Sequence, residues 1–93
     1  MTHLFFGKFP LGQVVATTGV MRATSEKDRI SALTRHQNGD WGDVCAEDWA
    51  HNNEALEKGF RLLSAFTSVG GVKFWIITEA DRSVSTFLLP EEY

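Results

Sequence analysis

The last third of the chain contains three apolar segments, at about residues 60–67, 72–79 and 84–89, with short turns between them. Segments of this length, bounded by glycine and polar residues, are typical of β-strands. Gly70-Gly71 separates the first two. The pair favours a two-residue hairpin with a type I′ turn, because that turn requires positive φ at both central residues. The C-terminal part of the chain therefore predicts a three-stranded antiparallel unit.

This hairpin would place Val69 opposite Val72 and Phe66 opposite Trp75, with side chains alternating between the two faces of the sheet. Both faces are then apolar. One would carry Phe60, Leu62, Phe66, Trp75, Ile77 and Leu88, and the other Leu63, Ala65, Phe74, Ile76, Phe87 and Leu89. A register shifted by one residue, or an N-terminal arm that covers the whole remaining face, stays open as an alternative.

The middle of the chain carries helical patterns. Gln13 to Thr17 is typical of a short strand, and the threonines that end it can cap one helical turn. Thr24 or Ser25 then begins a helix that ends near Asn38-Gly39. A second helix is predicted from about Val44 to Lys58, with Asp43 as its N-cap. Its inner stripe would hold Cys45, Trp49, Leu56 and one of Asn52 and Asn53.

The predicted order is β-α-α-β-β-β, which indicates an α+β fold with two helices packed on a mostly antiparallel four-stranded sheet. We expect residues 1–11 to form an arm and residues 12–93 a single domain. Two helices can cover only one face of such a sheet, and soluble monomers rarely expose large apolar patches. We therefore expect a second molecule to cover the other face, either in a homodimer or as a different protein partner.

Composition narrows the function classes. The net charge is −3 and the sequence has no basic run, so direct binding of nucleic acid is not expected. A single cysteine, Cys45, excludes an internal disulfide bond and fits a reducing compartment. The sequence has neither the apolar stretch of a signal peptide nor one long enough for a membrane helix. We expect a cytoplasmic protein that does not contact membranes.

Several stretches together resemble a known group of proteins. They are "GQVVATTGV", "RHQNGDWGDVCAEDWAHNNEAL", "RLLSAFTSVGGVKFWIITEADRS" and "LLPEEY". The chain is similar over residues 12–93 to a family of small uncharacterised proteins encoded on plasmids and other mobile elements, some labelled type I restriction subunits. The chain is too short for a methyltransferase domain and lacks its nucleotide-binding glycine loop. The resemblance therefore implies a genetic setting, that of an accessory protein of a mobile element, and not an activity.

The stretch from His36 to His51 is dense in acids, histidines and tryptophans. Its spacing matches no zinc signature, and a capping Asp43 with acids in the first helical turn explains most of the charges. We therefore expect no metal, no cofactor and no catalytic residue. Candidate binding residues, in an interface or a pocket, are His36, Asp40, Trp41, Trp49, Trp75, Asp81 and Arg82.

Two functions from different classes follow. The first is a non-enzymatic protein-interaction module, dimeric and able to bind a host protein. Trp41 could be its anchor, because tryptophan is enriched at binding hot spots, or could fold back as a lid over the helices. The alternative is a small-ligand-binding protein or minor enzyme. Its pocket between helices and sheet would be lined by the three tryptophans, with polar groups from His36, Asp40 and Arg82.

Overall fold

The helices and strands follow the predicted order, with one short helix added after the first strand. A computed structural model describes residues 7–93 of the chain. Its elements are β1 (Gln13–Ala16), α1 (Thr18–Ala23), α2 (Glu26–Gln37), α3 (Ala46–Lys58), β2 (Leu62–Thr67), β3 (Lys73–Thr78), β4 (Val84–Leu88) and a 3₁₀ turn (Pro90–Glu92). The predicted α+β fold is confirmed.

The four strands form one mixed sheet in the order β1-β4-β3-β2. β2, β3 and β4 make the predicted antiparallel unit, while β1 pairs with β4 in parallel. β1 and β2 are therefore the two edges. The chain leaves β1 at one edge and re-enters the sheet at the other, so the three helices connect the two edges.

The predicted hairpin register is wrong by one residue. Phe66 pairs with Phe74, and Trp75 pairs with Ala65. Gly71 has a φ of 89° and donates its N–H to the carbonyl of Ser68, while Gly70 does not have positive φ. The loop therefore has three residues between Ser68 and Val72, a turn followed by one left-handed glycine, and not a two-residue type I′ turn.

The shifted register changes which side chains share a face. The face toward the helices carries Leu62, Ser64, Phe66, Phe74, Ile76, Thr78, Ser85 and Phe87. Val20 of α1 and Ala32 of α2 pack on its phenylalanines. Phe9, from the segment before β1, packs with Trp41, Ala55 and Leu62. The helices and the described part of the arm, residues 7–11, thus lie on the same face, although the arm was considered as a cover for the other.

Within residues 7–93, no α-helix packs across the opposite face, and the C-terminal 3₁₀ turn contacts β3. Its apolar residues are Leu63, Ala65, Trp75, Ile77, Val84 and Leu88. Tyr93 lies against Trp75, with ring centroids 5.6 Å apart and an edge-to-face geometry. Ile77 and Leu88 are buried on this face, while Trp75 and Leu63 stay partly exposed. The expectation that both faces are apolar therefore holds, with different members on each.

The helix ends show one capping prediction confirmed and one wrong. Ser25 caps α2 and exchanges hydrogen bonds with Asp28 in a capping box. Asp43 does not cap α3. The N-cap is Cys45, which is exposed and makes no side-chain capping bond. Asp43 instead donates its N–H to the carbonyl of Ala65 and accepts from the Thr67 hydroxyl, so both of its partners lie on β2.

Substitution of the two hairpin glycines tests the loop type. Gly71→Ala should lower the free energy of unfolding by about 1–2 kcal/mol, because an L-residue is strained at positive φ. Gly70→Ala should change it by less than about 1 kcal/mol, in the stabilising direction, by restricting the unfolded chain. Urea denaturation of both variants measures this. Equal and large losses of unfolding free energy in the two variants would instead support the type I′ turn.

Candidate functional site

His36 is a fully buried histidine with a hydrogen bond at each ring nitrogen. It lies on α2, has no exposed surface, and bonds residues of two strands directly and of a third through a threonine. Its Nδ1 is hydrogen-bonded to the hydroxyl of Ser64 on β2, at 2.5 Å. Its Nε2 lies 2.8 Å from Oγ1 of Thr78 on β3. Thr78 in turn lies 2.7 Å from Oγ of Ser85 on β4.

The last acceptor in this chain of hydrogen bonds determines which group donates in each of them. Ser85 donates to the carbonyl oxygen of Leu11, 2.8 Å away, because a carbonyl can only accept. Ser85 must then accept from Thr78, and Thr78 must accept from the Nε2–H of His36. Nδ1 is left as the acceptor for the Ser64 hydroxyl. His36 is therefore the neutral Nε2–H tautomer, and all four side chains are satisfied.

Burial decides the charge of this histidine. Loss of solvation, with a smaller contribution from the positive charge of Arg82, lowers the pKa of His36 to about 3. Phe9 and Trp41 pack edge-on against its ring at centroid distances of 5.3 and 5.6 Å. A serine beside a neutral histidine resembles a catalytic dyad, but Ser64 has no exposed surface either. Substrate cannot reach the pair, so its role is to hold elements together.

The depressed pKa predicts a pH effect on stability. The unfolded chain binds a proton at His36 below about pH 6.5 and the folded chain does not, so stability falls as the pH drops from about 6.5 toward 3. We expect a loss of about 2 kcal/mol between pH 7 and pH 5. Asp28, Asp40, Asp81 and Glu92 have lowered pKa values, so their contributions are lost only at more acidic pH.

Urea denaturation at several pH values between 7 and 5 measures this slope. His36→Gln should fold less stably and should lose the slope in this range. His51→Gln replaces an exposed histidine and should keep it. A slope that survives His36→Gln, or disappears in His51→Gln, would assign the proton to another group.

Asp40 and Trp41 are held by contacts within the chain. Asp40 forms an ion pair with Arg35 at 2.8 Å and accepts from the Gly42 N–H; the Arg35 hydrogen bond lowers its pKa. Trp41 has no exposed surface, and its Nε1 donates to Asn53 of α3 at 3.0 Å. It therefore has the lid geometry, packed over His36, and offers no surface to a partner in this conformation.

The predicted pocket residues do not line one cavity. Trp41 and His36 fill the space between α2, α3 and the sheet together with Phe9. Trp49 packs partly buried at the margin of this cluster. Trp75 points to the opposite face of the sheet because of the corrected register. The sequence grouped these aromatic residues correctly in part, but Trp75 is separated from the others by the sheet itself.

Asp81 and Arg82 belong to the turn between β3 and β4. Asp81 accepts from the Ser83 N–H, and hydrogen bonds to Ser83 lower its pKa. Arg82 has a φ of 61° and donates to the carbonyl oxygens of Ala55 and Phe60, at 3.2 and 2.7 Å. Burial lowers the pKa of Arg82. The guanidinium thus attaches this turn to the end of α3, and both residues have local structural contacts.

The outer edge of β2 is sealed by other parts of the chain. The side-chain amide of Asn52, on α3, donates to the carbonyl of Leu63 and accepts from its N–H, at 2.8 and 3.1 Å. Two residues along, Ala65 donates to the carbonyl of Trp41 and accepts from the N–H of Asp43. The backbone groups that β2 turns outward at these two positions are therefore all paired.

Loss of the Asn52 amide should destabilise the protein and open this edge. Asn52→Ala removes both partners of Leu63, and we expect a loss of about 2–3 kcal/mol in the free energy of unfolding. We also expect aggregation on warming, since an unpaired edge strand is a template for other chains. Thermal and urea denaturation with light scattering measure both effects. His51→Ala, at the preceding exposed position, is the control and should change neither.

The outer edge of β1 has no such cover within residues 7–93. Gln13 donates its N–H to the carbonyl of Ser83, which directly precedes β4, and Thr17 donates to the carbonyl of Phe87 in β4. Because alternate residues of a strand turn their backbone groups to opposite sides, the N–H and C=O groups of Val14 and Ala16 point away from the sheet. All four residues of β1 are exposed.

An apolar groove runs beside this open edge. It has a volume of about 450 Å³ and lies between β1 and the helices α1 and α2. Four large apolar side chains around it are strongly exposed: Val14 at 45%, Val15 at 36%, Met21 at 51% and Ile30 at 59%. Glu26 and Arg29 also line the groove. The combination of unpaired backbone groups and apolar side chains is what an added β-strand requires.

Sequence patterns missed both the polar network and the groove. A signal for the network does exist: Ser64, Thr78 and Ser85 each alternate with large apolar residues that face the helices. A hydroxyl at such an inward position must find a partner, and a histidine on a covering helix can supply it. The groove leaves no such signal, because Val14, Met21 and Ile30 look like ordinary core residues in the sequence.

Comparison of the chain with protein-family models, curated proteins and solved structures finds no significant match. Across residues 7–93, no three His, Cys, Asp or Glu side chains are placed to share a metal ion. The helices of the same range include none with the length and apolar character of a membrane span. What this chain does must therefore be inferred from its own surfaces.

Proposed function

We propose that the chain is a non-enzymatic protein-interaction module that binds an extended strand of a protein along the open edge of β1. The bound strand would pair with the outward backbone groups of Val14 and Ala16. Its side chains would enter the groove between β1 and the helices. This mode of recognition combines backbone hydrogen bonds, which supply affinity, with side-chain pockets, which supply specificity.

The contrast between the two edges of the sheet carries the proposal. β2 is closed by an asparagine side chain and by a loop, each placed within hydrogen-bond distance of an outward backbone group. β1 has no such cover in the described residues, and it is flanked by Met21 and Ile30. Soluble proteins normally shield edge strands with charges, proline or covering segments. An edge left bare beside an apolar groove is typical of a binding surface.

The buried histidine network supports a non-enzymatic role. His36 and Ser64 have no exposed surface, and hydrogen bonds that run from His36 through Thr78 connect α2 to three strands. The network joins these elements behind the open edge by hydrogen bonds. An edge that is held in place before binding loses less conformational entropy when it pairs with a strand, which favours binding.

The biological setting that we propose comes from the resemblance noted above. As an accessory protein of a mobile element, the module would bind a protein of the host cell, or a second copy of itself, in the cytoplasm. The small size of the chain and its negative charge fit a partner surface better than nucleic acid.

A single charge placed on the edge tests this function. Val14→Lys should leave the fold intact, because Val14 is already half exposed, and should oppose pairing by putting a charge beside the added strand. In affinity capture from a lysate of the natural host, we expect the wild type to retain a protein that Val14→Lys does not retain. The variant should bind that protein at least about tenfold more weakly.

The matched control is Val69→Lys, the same change at a residue that is 97% exposed at the hairpin tip, away from the groove. It should bind as the wild type does. Circular dichroism must show that both variants are folded. If Val14→Lys binds the same proteins as Val69→Lys with the same affinity in solution, the edge of β1 is not the binding surface.

A further inference from the structure

We infer that the strand added to β1 is β1 of a second copy of this chain, paired antiparallel about a two-fold axis that passes beside Val15. The inference rests on the proposed function, because it uses the same edge and groove, and it names their occupant. The product is a continuous eight-stranded sheet in which the two sealed β2 edges lie at the outside and the two open β1 edges meet at the centre.

The backbone of β1 fits this arrangement. The outward groups belong to Val14 and Ala16, one residue to either side of Val15. With the axis at Val15, Val14 of one copy lies opposite Ala16 of the other, and each such pair exchanges two hydrogen bonds. All outward N–H and C=O groups of both strands are then paired. An axis shifted to Val14 would pair Ala16 with Gly12, whose φ of 66° is not that of a strand.

The side chains fit it as well. A two-fold axis perpendicular to the sheet leaves the helices of both copies on the same face. Val14 and Ala16 lie on that face, since they are level with Ser85 and Phe87 of β4. The second copy therefore extends the apolar floor of the groove. Met21 and Ile30 of each copy border it and lose solvent exposure as it closes.

The charges around the groove allow the same surface of two copies to pack together without repulsion. In a two-fold interface the same surface occurs on both sides, so a patch of one sign would repel its copy. This groove carries one acid, Glu26, and one base, Arg29, among its lining residues. Arg29 is held by hydrogen bonds to Thr24, at 2.7 and 2.9 Å, so its position is fixed. The patch is therefore close to neutral and mainly apolar.

The size of the contact predicts its strength. A pair of four-residue strands with two apolar side chains from each set of helices is small for a stable dimer, below about 1,200 Å² in total. Interfaces of this class are weak, and we expect a dissociation constant on the order of 10 µM. Measurements must therefore extend from about 1 µM to about 500 µM.

Disulfide trapping tests both the partner and the register. In a Cys45→Ser background, which removes the exposed native thiol, Val15→Cys places two thiols opposite each other across the axis. Such non-hydrogen-bonded pairs have Cα atoms about 4.5 Å apart, within the range of a disulfide bond. Val14→Cys places its two copies two residues out of register, too far to bond. We expect a covalent dimer from Val15→Cys under mild oxidation and little from Val14→Cys.

Sedimentation velocity supplies the equilibrium measurement. The wild type and Val69→Lys should shift from monomer to dimer over the same concentration range, while Val14→Lys should need at least about tenfold more protein. A chain without residues 1–6 should behave as the wild type does. If that deletion creates a dimer from a monomeric full chain, residues 1–6 occupy the edge and the inference is overturned.

Failure of this inference can be told apart from failure of the proposed function. A wild type that stays monomeric, with Val15→Cys remaining reduced, overturns self-pairing. If Val14→Lys then still loses a captured host protein, the edge binds a different chain and the proposed function stands. If neither self-association nor capture responds to Val14→Lys, both are wrong. A dimer that forms equally well in Val14→Lys uses another surface and also overturns the inference.

Discussion

The hydrogen-bond chain that begins at His36 is the interaction on which the rest of this fold depends. It joins α2 to β2, β3 and β4 and ends on a backbone carbonyl just before β1, so a chain of four side chains connects four elements to this segment. A sheet of this size has a thin core, and its three inward hydroxyls would be costly if they were left unpaired. The neutral imidazole pairs two of them directly, and the Leu11 carbonyl completes the chain. The apolar clusters lie around this centre, with the phenylalanines of the sheet toward α1 and α2 and Trp41 with Phe9 toward α3.

With the sheet fixed in this way, its two edges have different environments. α3 lies along β2, and the side-chain amide of Asn52 makes the two hydrogen bonds that a neighbouring strand would make. The segment from Trp41 to Asp43 pairs with the next outward position of β2. Gly42 is part of this seal, because a side chain at its positive φ would collide with the Ala65 carbonyl. β1 has only four residues, all exposed, and the helices beside it leave a groove rather than a cover. The proposed function rests on this asymmetry, since residues 7–93 close the edge at β2 and provide no cover for the edge at β1.

Much of the fold could be predicted because it depends on local patterns. The strands, the capped helix α2 and the element order follow from apolar periodicity, from Ser25 with its acidic first turn and from Gly59. The hairpin register could not be predicted reliably, because Gly70-Gly71 permits both a two-residue and a three-residue loop. One residue of difference moves Trp75 to the opposite face of the sheet. The N-cap of α3 failed for a related reason: Asp43 has competing partners on β2 that are distant in sequence.

For the candidate site, the sequence determined which polar side chains would need hydrogen-bond partners, and only the tertiary structure decided which partners they have. A histidine, three hydroxyls among apolar residues and an acidic loop with two tryptophans are visible in the sequence, as is a sheet that is apolar on both faces. The pairing of His36 with the hydroxyls and the burial of Trp41 depend on contacts between segments that are tens of residues apart in the sequence. The same holds for the edge of β1, which residues 7–93 leave uncovered. Local propensity does not determine these long-range contacts, because they depend on how backbone and polar groups pair in the folded sheet.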